Sequence, residues 1–242
     1  MSNTRRAREL ARQQAELAAK LQRDRRIFIV AAIVVVALII GGGIALQAWR
    51  TGRAPVVSAR PSASPTPVPV SDGRPLLLGS DTAPVKITLY EDFHCPHCAE
   101  FEEEFGPTIT AAQDQGKASV ELYPMSFIDA GSTAAANAMA CGAEAGFGQA
   151  YYLGLFANPT LQWNDQQLIT LASQLSGGGP SDGFRTCVTS RAHAGWVASI
   201  NRVAEANHVD QTPSMFLNSR AVDLATLTPE ALQSLIDKAA TP

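Results

Sequence analysis

The pattern of apolar and polar positions changes character sharply along the chain. Residues 1–26, "MSNTRRARELARQQAELAAKLQRDRR", are polar, Ala-rich and basic, and read as a charged helix. Ile27 to Leu46, "IFIVAAIVVVALIIGGGIAL", is a run of twenty residues without a charge. At helical rise that run spans roughly 30 Å, the thickness of a bilayer core. It predicts a transmembrane helix over 27–49, with Trp49 and Arg50 at the outer interface. The run exceeds the apolar stretch of a cleaved signal peptide, and "ALQAW" offers no small-x-small cleavage site, so the anchor is read as retained. Residues 50–75, "RTGRAPVVSARPSASPTPVPVSDGRP", hold six prolines and few large apolar side chains, the composition of an extended spacer. Such a spacer reaches about 80 Å at polyproline rise.

From Leu76 to Pro242 the periodicities are those of one globular domain. "PVKITLYEDF" (84–93) alternates, with Val85, Ile87, Leu89 and Phe93 on one side, and predicts a strand. "AEFEEEFGPTITAAQDQG" predicts a helix bent or ended near Pro107. "ASVELYPMSF" (118–127) predicts a second strand. Three apolar-periodic stretches follow, starting at Ser132, Asn164 and Asp182, and predict a helical block over about 132–208. "PSMFLNSRAVDL" (213–224) reads as a strand and turn, and "TPEALQSLIDKAA" as a closing helix with Thr228 as N-cap and Pro229 at its first position. The order β-α-β, helical block, β, α predicts an α/β fold: a sheet with helices on its faces and a helical insertion.

Charge sharpens this division. Residues 1–26 carry eight Lys/Arg against three acids, whereas residues 76–242 carry seven basic and eighteen acidic residues. Basic residues ahead of a span keep that end cytoplasmic, so the predicted orientation is N-terminus inside, domain outside, in a single-pass cell-membrane protein. The acidic domain excludes nucleic acid as a partner, because phosphate binding needs Lys and Arg.

The four cysteines, Cys95, Cys98, Cys141 and Cys187, all fall on the exported side, where disulfides persist. Cys95 and Cys98 leave three readings: a metal site, a structural staple, or a redox pair. Zinc would want four N/S ligands, and the only nearby candidates, His94 and His97, interleave with the cysteines. The redox reading draws on position. Between a strand and a helix, Cys95 occupies the helix N-terminus, where unpaired N–H groups and the dipole stabilise a thiolate.

"YEDFHCPHC" resembles the active-site strand and loop of DsbA-like members of the thioredoxin superfamily. "QTPSMFLN" (211–218) resembles that family's Thr–cis-Pro loop, and the block at 132–208 its helical insertion. The whole most resembles the membrane-tethered, actinobacterial type. The resemblance implies a thioredoxin-like fold and a thiol:disulfide oxidoreductase with no dissociable cofactor and no metal. Cys95 would be the nucleophile and Cys98 the resolving thiol. Pro96 and His97 would form the tuning dipeptide, with His97 beside Cys95. Pro213 would be cis, with Thr212 presenting backbone to substrate, and Glu91 would be a buried carboxyl shuttling a proton for Cys98. Implied partners are exported substrate proteins with free cysteines and a DsbB- or VKOR-type quinone-linked reoxidant; a monomer is expected. A reductase or isomerase of the same fold, and a tethered chaperone module without redox turnover, are the alternatives.

An exported domain rarely keeps two buried free thiols, so Cys141 and Cys187 are expected to form a structural disulfide; two inert core thiols or a second relay are the rivals. Glu102, Glu103 and Glu104 read as a solvated helix face, Asp92 as pointing away from Glu91, and His94 as local surface. Met139, Tyr151, Tyr152, Phe156 and Trp163 read as core, with a substrate-facing surface as the other possibility.

Overall fold

The computed structural model describes residues 67–176 and 179–241, together with the isolated positions Val35 and Pro55. The predicted basic segment 1–26 and transmembrane helix 27–49 lie outside the described residues apart from Val35, as does most of the predicted spacer. Among the described residues no helix is long and apolar enough to cross a membrane.

A five-stranded mixed sheet has the order β1-β3-β2-β4-β5. Its centre is β2 (Val85–Glu91), where Val85, Ile87 and Leu89 are fully buried while Lys86 and Thr88 stay partly exposed. β2 runs parallel to β3 (Ala118–Pro124), with Leu89 opposite Leu122 and Glu91 opposite Pro124. Parallel neighbours need a crossover, and α1 (Pro96–Asp114) supplies it. β1 (Leu76–Gly79) pairs antiparallel with β3 at one edge. On the other side of β2 lies β4 (Ser214–Leu217), which turns through Asn218 and Ser219 into β5 (Arg220–Ala221). Both turn residues have positive φ, 47° and 66°, as a two-residue hairpin turn requires.

The helical block comprises α2 (Ala130–Glu144), α3 (Gly148–Phe156), α4 (Asp165–Ser176), α5 (Asp182–Thr189) and α6 (Ala194–Ala206), all between β3 and β4. Its central element is α2, "AGSTAAANAMACGAE", whose side chains from Ala134 to Ala143 are buried on every side. Small residues allow α3, α5 and α6 to approach it closely. Asp129 caps it, accepting the Ser132 N–H at 3.0 Å. The chain closes with α7 (Pro229–Ala240), capped by Thr228, which accepts the Ala231 N–H at 3.2 Å.

Several expectations are corrected. α1 continues through Pro107, because Phe101, Phe105, Ile109 and Ala112 form one buried stripe across it while Pro107 faces solvent. β3 ends at Pro124, three residues short of the expected Phe127. The spacer does not run to residue 75. Val68 and Val70 pack on the core, and the Val68 N–H donates to the Ala143 carbonyl at 2.9 Å. Further along, the Gly73 N–H reaches Ser199 Oγ at 2.8 Å and Trp196 Nε1 donates to the Arg74 carbonyl at 2.9 Å. Residues 67–75 therefore form a strap laid on α2 and α6.

Candidate active site

β2, the start of α1 and the loop before β4 converge at one end of the sheet. Cys95 is the N-cap of α1, in extended conformation, and Pro96 follows at the first helical position, where its missing N–H leaves nothing unsatisfied. The Cys95 N–H donates back to the Asp92 carbonyl at 2.9 Å, which closes the turn out of β2. The Cys95 side chain makes no capping hydrogen bond. Its Sγ instead lies 3.5 Å from the Thr212 carbonyl, to which the thiol donates. The Thr212–Pro213 peptide is cis. Residues far apart in sequence are thus joined at the Cys95 sulfur.

Cys95 and Cys98 are free thiols of different exposure: 8% of Cys95 remains accessible, none of Cys98. Burial pushes the Cys98 thiol far up from its usual range, and Glu91, when ionised, pushes it further. His97 is turned to solvent with 78% of its side chain exposed, and its Nδ1 pairs with Glu100 Oε2 at 2.9 Å. The imidazole is held by the next turn of α1.

Glu91 is fully buried. It shares its site with a residue expected on the surface: Glu102, only 9% exposed, lies on the inner face of α1, while Glu103 and Glu104 face solvent. Helical spacing accounts for this, since Glu102 falls on the stripe of Cys98, Phe101 and Phe105. Gly106, one turn on, leaves room for it; a Cβ there would stand 3.0 Å from Glu102 Oε2. Between the two carboxyls stands Tyr152 of α3, with Oη at 2.5 Å from Glu91 Oε2 and 2.6 Å from Glu102 Oε1. Burial raises both acids, Glu102 to about 7 and Glu91 well above its ordinary value, where the Glu102 charge adds to the effect. Phe93 and Phe156 pack their rings around Tyr152.

The loop after β2 is also more enclosed than the sequence predicts. Asp92 is fully buried, and its Oδ1 accepts the His94 N–H at 2.9 Å. Burial raises its carboxyl. His94, expected at the surface, keeps 6% of its side chain exposed and places Nδ1 at 2.7 Å from Asp129 Oδ1. The residue that caps α2 therefore also grips the residue before Cys95. Gly131 makes this possible, because a Cβ there would lie 2.1 Å from His94 Cε1. Phe127 and Ile128, 56% and 43% exposed, stand on the loop between β3 and α2. Met139, Tyr151, Tyr152, Phe156 and Trp163 are all buried, which settles them as core.

Away from this end, Cys141 of α2 and Cys187 of α5 are joined by a disulfide with S–S 2.04 Å. Asn137 braces the same junction: its carboxamide donates to the Cys187 and Val188 carbonyls at 3.5 Å and accepts the His193 N–H at 2.9 Å. Cys141, Cys187 and His193 are close enough to suggest a metal cluster, but the two sulfurs are bonded to each other and hold no charge for a cation.

A family model described as "Thioredoxin" matches residues 71–238. No curated protein matches the sequence. Among solved structures, reduced DsbA from Mycobacterium tuberculosis superimposes with TM-score 0.59 at 22% identity, covering 69% of this chain and 92% of that one. DsbG from the same organism, titled a disulfide bond oxidoreductase, gives 0.60 at 23% identity, over 72% and 90% of the two chains. MdbA from Actinomyces oris, titled a thiol-disulfide oxidoreductase, gives 0.58 at 21% identity, over 69% and 90%.

Proposed function

The chain belongs to the thioredoxin family, and from that premise we propose that Cys95 and Cys98 exchange disulfides with other proteins outside the cytoplasm, chiefly as an oxidase. The observation that carries the reading is the asymmetry of the pair. Cys95 is an N-cap with its sulfur at the accessible edge against the Thr212 carbonyl, and Cys98 is sealed behind it. The thiol-disulfide oxidoreductase chemistry ascribed to MdbA, and the disulfide bond chemistry ascribed to DsbG, fit that arrangement.

In the oxidised protein a substrate thiolate attacks Cys95 Sγ. The Cys95–Cys98 bond breaks, and its electron pair goes to Cys98, which ends as a neutral thiol in its buried site. A second substrate thiolate then attacks the substrate sulfur of the mixed disulfide and releases Cys95 as a thiolate. In the oxidase reading the reduced pair is the favoured state and the disulfide a strong oxidant. Thr212 offers the backbone against which an extended substrate segment lies. The apolar run 27–49 anchors the domain at the outer membrane face, and a quinone-linked membrane partner of the DsbB or VKOR type takes up the electrons.

Equilibrating the full chain in detergent against dithiothreitol or glutathione buffers tests the direction of electron flow. The expected potential lies near that of DsbA, about −120 mV; a value near about −270 mV, that of thioredoxin, overturns the oxidase reading.

A further inference from the structure

The hydrogen-bond arithmetic around Tyr152 leads beyond the cysteines. A phenolic hydroxyl owns one hydrogen, yet Tyr152 Oη is within 2.6 Å of two carboxyl oxygens. A carboxylate accepts only, so two ionised acids would leave one O···O contact without a proton, in a buried site walled by Phe93 and Phe156. The three groups must therefore share a second proton. It rests on the carboxyl where a charge is costlier. Glu91 has no accessible surface and an Oε1 without a hydrogen-bond partner, whereas Glu102 retains 9% exposure. The bonds then run in one direction: the Glu91 carboxyl donates to Tyr152 Oη, and Tyr152 donates to the Glu102 carboxylate. Burial raises both acids, and the charge of Glu102 raises Glu91 further, in the same sense.

The titratable groups acting on Glu91 are Tyr152 from α3 and Glu102, Cys95 and Cys98 from α1 and its cap. Asp92 and His94 on the adjoining loop are tied to each other and to Asp129. β3 presents Pro124 opposite Glu91, and β4 ends its pairing with β2 at Tyr90, so neither brings a further titratable group to it.

We propose that Glu102, acting through the Tyr152 hydroxyl, is a positioning residue that holds a proton on Glu91 and so keeps the buried acid loaded for Cys98. The proposal rests on the thiol–disulfide reading above and adds the second carboxyl and the phenol to it. When the Cys95–Cys98 bond opens, Cys98 receives the electron pair and takes the Glu91 proton, leaving two carboxylates that are reloaded from solvent. When the bond closes, Glu91 in its ionised form takes the Cys98 proton, and the Cys98 thiolate attacks Cys95 and expels the group bonded there.

The closing step can be followed in the full chain in detergent. Cys95 is loaded with 5-thio-2-nitrobenzoate, and the coloured thiolate released by Cys98 attack is recorded against pH for wild type and Glu102→Gln. A glutamine keeps a carbonyl oxygen to accept from Tyr152 and removes the charge. The rise of the Glu102→Gln profile is expected to move at least about one unit to lower pH, so release is about tenfold faster at a fixed pH on the acid side. Superimposable profiles overturn the proposal. A wild type that releases no thiolate, or releases it equally after Cys98→Ala, overturns the thiol–disulfide reading instead. A second measurement does not depend on the variant folding. The infrared difference spectrum between oxidised and reduced wild type is expected to show a protonated-carboxyl C=O change, and its absence overturns the proposal.

Discussion

The Cys141–Cys187 bond closes a loop of 46 residues through the helical block, between α2 and α5. In the chain-entropy account, cross-linking over that length removes about 4 kcal/mol of freedom from the unfolded chain. Replacing both cysteines by alanine in the full chain releases that freedom while leaving the folded junction braced by Asn137 and the buried Val188. Stability is therefore expected to fall by about 4 kcal/mol, and the unfolding midpoint by about 8–16 °C for a domain of this size. Urea unfolding read by the fluorescence of Trp163 and Trp196, 2% and 3% exposed within the insertion, measures the difference. Double replacement avoids reductant, which would also act on Cys95 and Cys98. A loss below about 1 kcal/mol would refute the argument, since the crosslink would then not restrict the unfolded chain as its span requires. Disulfide exchange at Cys95 is expected to persist, because neither cysteine of this bond belongs to the site.

Two further outcomes follow from the buried contacts. Gly131→Ala would put a Cβ 2.1 Å from His94 Cε1 and 2.7 Å from the Gln162 carbonyl, so overpacking should cost about 1–3 kcal/mol in urea unfolding; an unchanged midpoint refutes the close approach. Glu102 is raised in the folded chain from 4.5 to about 7, so the folded state holds a proton that the unfolded chain releases. Stability from this group is full below 4.5 and is lost as pH rises through 7, on the order of 2–3 kcal/mol between pH 5 and 8. Glu102→Gln should flatten that decline, and a wild-type stability independent of pH across this range would refute the assignment.

The centre of the sheet and the place of the cysteine pair could be read from local pattern because each rests on a local signal. β2 alternates cleanly, Thr228–Pro229 is a helix start by chemistry alone, and Cys95-Pro96 follows a strand after one short turn. The site's other residues depend on tertiary packing that no local signal carries. Glu102 stands in a run of three acids, and only its register with Cys98 and Phe105 separates it from Glu103 and Glu104. That register was legible; the tyrosine that makes the burial tolerable lies on another helix, fifty residues away. His94 reads as surface until Asp129 and the missing side chain of Gly131 enclose it. β1 escaped notice because four residues are too few to establish alternation, although Leu76 and Leu78 are both buried. The strap failed for the opposite reason: its proline-rich composition imitates free chain, while Val68 and Val70 find a surface on the insertion.

That strap alters the mechanics of tethering in the proposed membrane-anchored protein. Chain that is hydrogen-bonded to α2 and α6 from residue 68 onward cannot serve as leash. The length left between the end of the apolar span and the strap is residues 50–66, which at polyproline rise is about 50 Å, against about 80 Å for the whole segment to residue 75. The leash attaches to the helical insertion and not to the sheet, so a pull from upstream arrives at α2, the helix whose cap holds His94 beside Cys95. In the proposed anchored protein, a leash shortened in this way would hold Cys95 closer to the proposed membrane-bound reoxidant than the whole segment to residue 75 would.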